Sequence, residues 1–270
     1  LQARVRLVPS PPCRVLVVLG FEDVFAAADF VPRVLELGPI GLEGMDHELV
    51  GYMEKKHMAP ASRKLLPEGN GWLLVEFGDQ TREGAHDRAQ RLVDVIERDG
   101  ERISIAVFED SAQAEKLWKV RESGLGATSF VPGEPETHPG WEDAAVPPAR
   151  LGGYLRKFRA LLQEFGYDGA IYGHFGGGCV HVRISSDLAT PAGVAQWRRF
   201  VERAADLVIA HGGSLSGEHG DGQARGELLE KMYGPEIMAA MRHFKAIWDP
   251  LGRMNPGKVV DPLPVTHNLR

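Results

Sequence analysis

The sequence predicts an α+β sandwich, with helices layered on one sheet. Strand-like and helix-like segments alternate along the chain, and the helices are expected to share that sheet. No glycine-rich phosphate loop follows the first strand-like run, which argues against a parallel doubly wound fold. With 270 residues, the chain has room for one large domain or two modest ones around a substantial core.

The elements read in order. "VRLVP" and "CRVLVVLGF" are Val- and Leu-rich and flank a "PSPP" turn, so both predict strands. "EDVFAAADFVPRVLELG" has helical apolar spacing and a glycine stop, with Pro32 expected to kink the helix or set its start. "GLEGMDHELVGYMEKKH" predicts a second helix, and "GWLLVEFGD" a strand. "TREGAHDRAQRLVDVIERDG" predicts an amphipathic helix from a Thr cap to a terminal Gly. "RISIAVFED" then reads as strand and "SAQAEKLWKVRESG" as helix. Residues 127–148 hold five prolines and little periodicity, the length at which a loop is expected to be functional. "ARLGGYLRKFRALLQEFG" resumes a helix, followed by strand, glycine loop and strand. "PAGVAQWRRFVERAADLVIAHGG" predicts a long helix, and the tail adds a glycine-rich loop, helices and a closing turn. Trp72, Trp118, Trp197 and Trp248 are expected in the core, and Glu97 and Glu101 on solvated helix faces.

Composition narrows the function. A net charge of −6 without a basic block excludes nucleic acid as an expected partner. Two cysteines, Cys13 and Cys179, are too few for a disulfide framework and suit a reducing cytosol. No apolar run reaches the roughly 20 residues of a membrane span, and no signal peptide is expected. The expected location is therefore cytoplasmic, or peripheral to a membrane through other domains or subunits. The first residue is Leu rather than Met, which suggests a piece of a longer protein.

The chemistry-bearing stretch is "IYGHFGGGCVHVRIS", with His174 and His181 around three consecutive glycines. Strand alternation puts Val180, Val182 and Ile184 on one face and Cys179, His181 and Arg183 on the other. A hairpin at the glycines brings His174 beside the strand of His181, close enough to share one ion. Two neutral imidazoles suit zinc or a similar divalent metal but need a third ligand. A second glycine-rich loop, "SLSGEHGDGQAR", offers Glu218 as that ligand and His219 as a general base.

Taken together, "GHFGGGCVH", "SGEHGDGQAR" and "WDPLGRMNPGK" resemble the C-terminal domain of FAD-linked oxidases. That family includes D-lactate dehydrogenases, glycolate oxidase flavoprotein subunits and D-2-hydroxyglutarate dehydrogenases, and is related to vanillyl-alcohol oxidase. "GLEGMDH", "LWKVRESG" and "EDAAVPPARL" also look like family landmarks. The resemblance implies that residues 1–270 form a substrate or cap domain with a ferredoxin-like antiparallel sheet flanked by helices and a helical C-terminal extension. A separate N-terminal FAD-binding domain, absent from this chain, would hold most of the flavin. The resemblance implies His174, His181 and Glu218 as metal ligands and His219 as base. It also implies Arg121, in the "W-x-x-R" helix, as the partner of the substrate carboxylate, and Asn255 near the flavin.

Two departures bear on substrate. The first loop of the family reads G-H-x-G-D-G-N-x-H, but Gly177 and Cys179 replace the Asp and Asn here. That asparagine orients substrate in some members, so Cys179 falls at a substrate position; a soft metal ligand is the other functional reading, and a small buried hydrophobe is favoured over it. A lysine of the D-2-hydroxyglutarate enzymes falls near Trp141, which favours a smaller or more apolar acid. The implied reaction oxidises a lactate- or glycolate-like D-2-hydroxy acid to a 2-keto acid, passing hydride to FAD. The alternatives are a zinc hydrolase built on the same ligands and a non-catalytic binding domain.

Overall fold

The computed structural model describes residues 2–269. Its first half runs β1 (Cys13–Phe21), α1 (Val24–Leu35), β2 (Gly41–Asp46), α2 (His47–Lys55), α3 (Pro60–Arg63), β3 (Gly71–Asp79), α4 (Arg82–Asp99) and β4 (Ser104–Phe108). The second half runs α5 (Ser111–Glu122), α6 (Gly124–Thr128), β5 (Ala144–Ala145), α7 (Leu151–Glu164), β6 (Ile171–Gly173), β7 (Cys179–Val182), α8 (Pro191–Ala210) and α9 (Leu229–Trp248).

One seven-stranded sheet has the order β4-β1-β3-β2-β6-β7-β5, and its neighbouring strands pair antiparallel. The first four strands alone have the ferredoxin-like order, with α1 and α4 as the two crossover helices. Gly44 facing Gly173 and Met45 facing Tyr172 graft β6 onto the edge of β2, and β7 and β5 follow.

Side-chain alternation sorts the sheet into two unequal faces. Val15, Val17 and Leu19 of β1 join Val180 and Val182 of β7 in the larger core, under α1, α4, α7 and α8. Leu16 and Val18 join Met45, Leu74 and Tyr172 in a smaller core, beneath α2 and α5. Each such fully buried Val or Leu contributes about 1.5–3 kcal/mol. Cys179 and His181 alternate onto the smaller face, where the helical cover gives way to loops and the site can form.

Asp46 fixes how β6 meets β2. It is 1% exposed, and its side chain caps α2 through the amide of Leu49 at 3.0 Å. Its other oxygen accepts from Ile171 N at 2.7 Å and Arg159 Nη2 at 3.0 Å. Local signals also start and stop helices as expected: Thr81 accepts from Gly84 N at the start of α4, and Gly100 closes it at φ 66°.

Three expectations change and one, for Pro32, narrows. Residues 5–9 form no strand, and Val5, Leu7 and Val8 are 76%, 86% and 83% exposed. With no neighbouring strand to satisfy its backbone, an apolar run gains nothing from extending. The expected helix over 41–57 divides into β2 and α2 at Asp46, because Leu42 and Met45 bury on opposite faces of the sheet. Pro32 lies inside α1, whose start is set by Asp23 accepting from Ala26 N. Trp72 and Trp197 are buried and Trp118 packs at the edge of the smaller core, but Trp248 is 69% exposed at the end of α9.

Candidate active site

The two glycine loops meet over the smaller face. β6 and β7 form a hairpin in which Tyr172 faces His181, and a short helical turn at Phe175–Gly177 reverses the chain. Gly178 takes φ 71° at the end of that turn, and a Cβ there would overlap the Val146 carbonyl. The ring centroids of His174 and His181 lie 5.1 Å apart. The second loop, beyond α8, brings Glu218 Oε1 to 3.3 Å from His174 Nε2 and 3.4 Å from His181 Nε2. His219 Nε2 lies 3.5 Å from the same oxygen, and its ring stacks on His181 at 6° and 5.4 Å.

The outer nitrogens of the hairpin pair are already committed. His174 Nδ1 sits 2.7 Å from Glu43 Oε1, and His181 Nδ1 sits 2.8 Å from the Glu142 carbonyl oxygen. A carbonyl or carboxylate oxygen only accepts, so each Nδ1 carries a proton, and each Nε2 is left facing Glu218. Burial holds the His181 imidazole pKa down, and Arg121 and His174 push it further the same way. Two imidazole nitrogens thus approach one carboxylate oxygen, an arrangement that suits a cation among them. Imidazoles tied through Nδ1 to an acceptor are the usual form of metal-ligating histidine. The donor set fits zinc or a similar divalent ion.

Beside this cluster opens a cavity of about 210 Å³, lined by Arg121, Leu125, Tyr172, His181, Arg183 and His219 among others. Arg121 of α5 is 8% exposed, with Nε 2.7 Å from Glu43 Oε2 and its guanidinium over the Tyr172 ring at 5.1 Å. Arg183 is held by Thr137, whose hydroxyl and carbonyl accept from Nε and Nη2 at 3.2 and 2.6 Å.

The remaining expected residues fall elsewhere or change character. Cys179 is buried beside Asp143, and together with His181 and Glu218 these offer ligand atoms within 4.8 Å of one another. Burial and the Asp143 carboxylate push the Cys179 thiol far up, so it is a neutral donor, Sγ to Oδ1 at 3.2 Å. Asn255 stands exposed on the closing turn at φ 47° and does not line the cavity. Trp141 is 1% exposed, with Nε1 directed at the Tyr154 hydroxyl. It packs in the larger core and does not line the cavity, so it offers no contact to a substrate there.

Four residues escaped the sequence reading. Glu43 was hidden because "GLEGMDH" read as helix; strand alternation would have set it opposite Leu42. Glu142 and Asp143 lie in a landmark with no assigned role. Arg225, 2% exposed, lies 3.2 Å from Glu142 Oε1. Burial alone would raise the Glu142 carboxyl, but the Arg225 guanidinium and neighbouring hydrogen bonds outweigh it and hold it below the usual range.

A wholly antiparallel sheet offers no parallel switch-point crevice of the kind that binds dinucleotides. Fold and site thus define an α+β domain with a polar cluster at the mouth of a cavity. The chain belongs to the family of FAD linked oxidases, C-terminal domain, whose match covers residues 10–259. It is 28% identical to a D-2-hydroxyglutarate dehydrogenase of Haemophilus influenzae, over 97% of this chain and 26% of that protein. It is 29% identical to a D-lactate dehydrogenase of Archaeoglobus fulgidus, over 96% of this chain and 54% of the relative. The chain thus spans about a quarter to a half of these relatives. In fold it is similar to 4-ethylphenol oxidase from Gulosibacter chungangensis, with a TM-score of 0.66 at 12% identity, over 95% of this chain and 55% of the other.

Proposed function

We propose that this chain is the substrate-binding domain of a flavin-dependent oxidoreductase that converts a D-2-hydroxy acid to a 2-keto acid. The observation that carries the reading is that His174 Nε2 and His181 Nε2 both approach Glu218 Oε1, at 3.3 and 3.4 Å, beside a cavity lined by Arg121 and His219. The names of the relatives support the substrate class.

His174, His181 and Glu218 would hold a divalent ion, probed first as zinc; when bound it supplies Lewis acidity toward the substrate hydroxyl. FAD, when bound by a separate N-terminal domain of the longer polypeptide, supplies the hydride acceptor. Asn255 is the residue of this chain proposed to approach the flavin.

The chain's own residues do the rest. Arg121 has Nε on Glu43, which leaves its terminal nitrogens for a bidentate grip on the substrate carboxylate. That grip orients the α-hydrogen toward the flavin side. His219 takes the hydroxyl proton at Nε2, while Nδ1 faces the carboxylates of Glu142 and Asp143, each 3.9 Å away. Tyr172 and Leu125 line the cavity around the reacting carbon. Because Arg183 is tied to Thr137, the cavity offers one main carboxylate anchor. That supports a small lactate- or glycolate-like acid over a dicarboxylate. The domain would work in the cytoplasm.

The test uses the longer polypeptide purified with FAD and zinc, assayed on D-lactate, L-lactate, glycolate and D-2-hydroxyglutarate with a dye acceptor. Turnover confined to D- or achiral 2-hydroxy acids, and lost in Arg121→Met, is expected. Indifference to substrate chirality together with unimpaired Arg121→Met would overturn the reading. The isolated chain is expected to be inactive, so robust turnover without added flavin would also sink it.

A further inference from the structure

We infer that Glu142 and Asp143 form a positioning clamp that holds the two glycine loops in register with each other. They end the long irregular segment, and β5 follows at once, wedged between the loops. Ala144 faces Val180 and Ala145 faces Cys179 on the β7 side. On the other side, Ala145 exchanges hydrogen bonds with Ser214, at 3.1 and 2.8 Å, and Gly217 N donates to the Asp143 carbonyl at 2.7 Å.

Asp143 is fully buried, with 0% exposure. Its Oδ2 accepts from the Ser216 hydroxyl, from Glu218 N at 3.1 Å and from His219 N at 2.8 Å. Its Oδ1 accepts from the Cys179 thiol at 3.2 Å. One carboxylate thus binds the backbone of both residues that carry the second loop's chemistry, and a side chain of the first loop. Glu142 adds two contacts: its carbonyl fixes the His181 tautomer, and its carboxylate joins Arg225 to the His219 side.

The clamp is needed because His181 and Glu218 are separated by the whole of α8 and its flanking loops. Packing of α8 alone sets their distance coarsely, whereas a shared site demands agreement to about 0.5 Å. Outer partners of this kind are typically worth about 10–100-fold in metal affinity. The clamp also gives Cys179 a role other than substrate contact: its thiol is the donor that links the first loop to Asp143.

The clamp rests on the proposed metal reading only where zinc is the probe, so two readouts are paired. In the longer flavin-loaded polypeptide stripped of metal, zinc affinity is measured by calorimetric titration of Asp143→Asn, Cys179→Ser and Cys179→Ala. Amide exchange at Glu218 and His219 is measured in the same metal-free proteins. Asp143→Asn is expected to weaken zinc binding about 10–100-fold and to speed exchange at both amides. Cys179→Ser, which keeps a donor, is expected to be rescued relative to Cys179→Ala. Should Asp143→Asn not fold, Ser216→Ala removes one donor alone and is expected to speed exchange at Glu218, His219 and Gly220, the last bound to Ser216 Oγ at 2.8 Å. Unchanged amide exchange in the folded variants overturns the clamp. A wild type that binds no zinc overturns the metal reading instead, while exchange still decides the clamp.

Discussion

Glu43 stands 2.7 Å from His174 Nδ1 with one carboxylate oxygen and 2.7 Å from Arg121 Nε with the other. A single side chain on β2 therefore orients both an imidazole of the candidate metal cluster and the guanidinium facing the cavity. Glu43→Gln keeps the shape but removes the charge, and its amide nitrogen would face one of two donors. Zinc affinity is expected to fall about 10–100-fold, with KM for the hydroxy acid rising alongside. Parallel zinc titration and steady-state kinetics would check this, and a variant with both values intact would exclude the double role.

The histidine cluster lies at the margin of the sheet, outside the two apolar cores. His174→Ala and Glu218→Gln are therefore expected to lose bound zinc while keeping the melting temperature of the metal-free protein within a few degrees. Elemental analysis paired with thermal unfolding makes the comparison. Full zinc content in both variants would place the ion elsewhere.

His219 is expected to separate chemistry from metal binding. Loss of a positioned base typically costs about 10²–10⁴ in turnover, so His219→Asn should lower kcat by that order while zinc content stays unchanged. Loss of zinc in this variant would move His219 from base to ligand.

Gly44 leaves room for the Phe175 ring, which a Cβ there would overlap. Phe175 is fully buried and directly follows His174. Gly44→Ala should thus destabilise the domain by about 1–3 kcal/mol, the usual cost of overpacking, and weaken zinc binding as the hairpin shifts. Denaturant unfolding measures the first effect.

Asp249 organises the closing turn, accepting from Lys245 Nζ, Arg253 N and Met254 N, each at 2.8 Å. The Lys245 ammonium, then the Met254 and Arg253 amides, hold its carboxyl down to about 2. A depressed folded value means the stabilisation is present above the ordinary carboxylate range, near 4. It is lost as pH falls toward 2. The stability gap between wild type and Asp249→Asn is expected to close over that interval. A gap that persists at pH 2 would assign the effect to packing.

Much of the architecture was readable from local patterns. The apolar runs in "CRVLVVLGF" and "GWLLVEFGD" gave β1 and β3 at their observed limits, and Thr81 and Gly100 bounded α4 because caps act within one turn. The glycine run between His174 and His181 announced a hairpin because few other residues permit so tight a reversal. The errors came where a segment's fate depended on distant neighbours. "VRLVP" has strand composition but no strand beside it, and β2 exists because β3 and β6 flank it.

The sequence by itself determined which residues carry reactive groups and which loops are pliable enough to present them. Only the tertiary structure decided that Glu43, Glu142, Asp143 and Arg225 surround those groups. Their importance lies in contacts between groups far apart in the chain, from 36 positions for Asp143 and Cys179 to 131 for Glu43 and His174. Hydrogen bonds of this kind join groups with no common periodicity, so no local pattern records them.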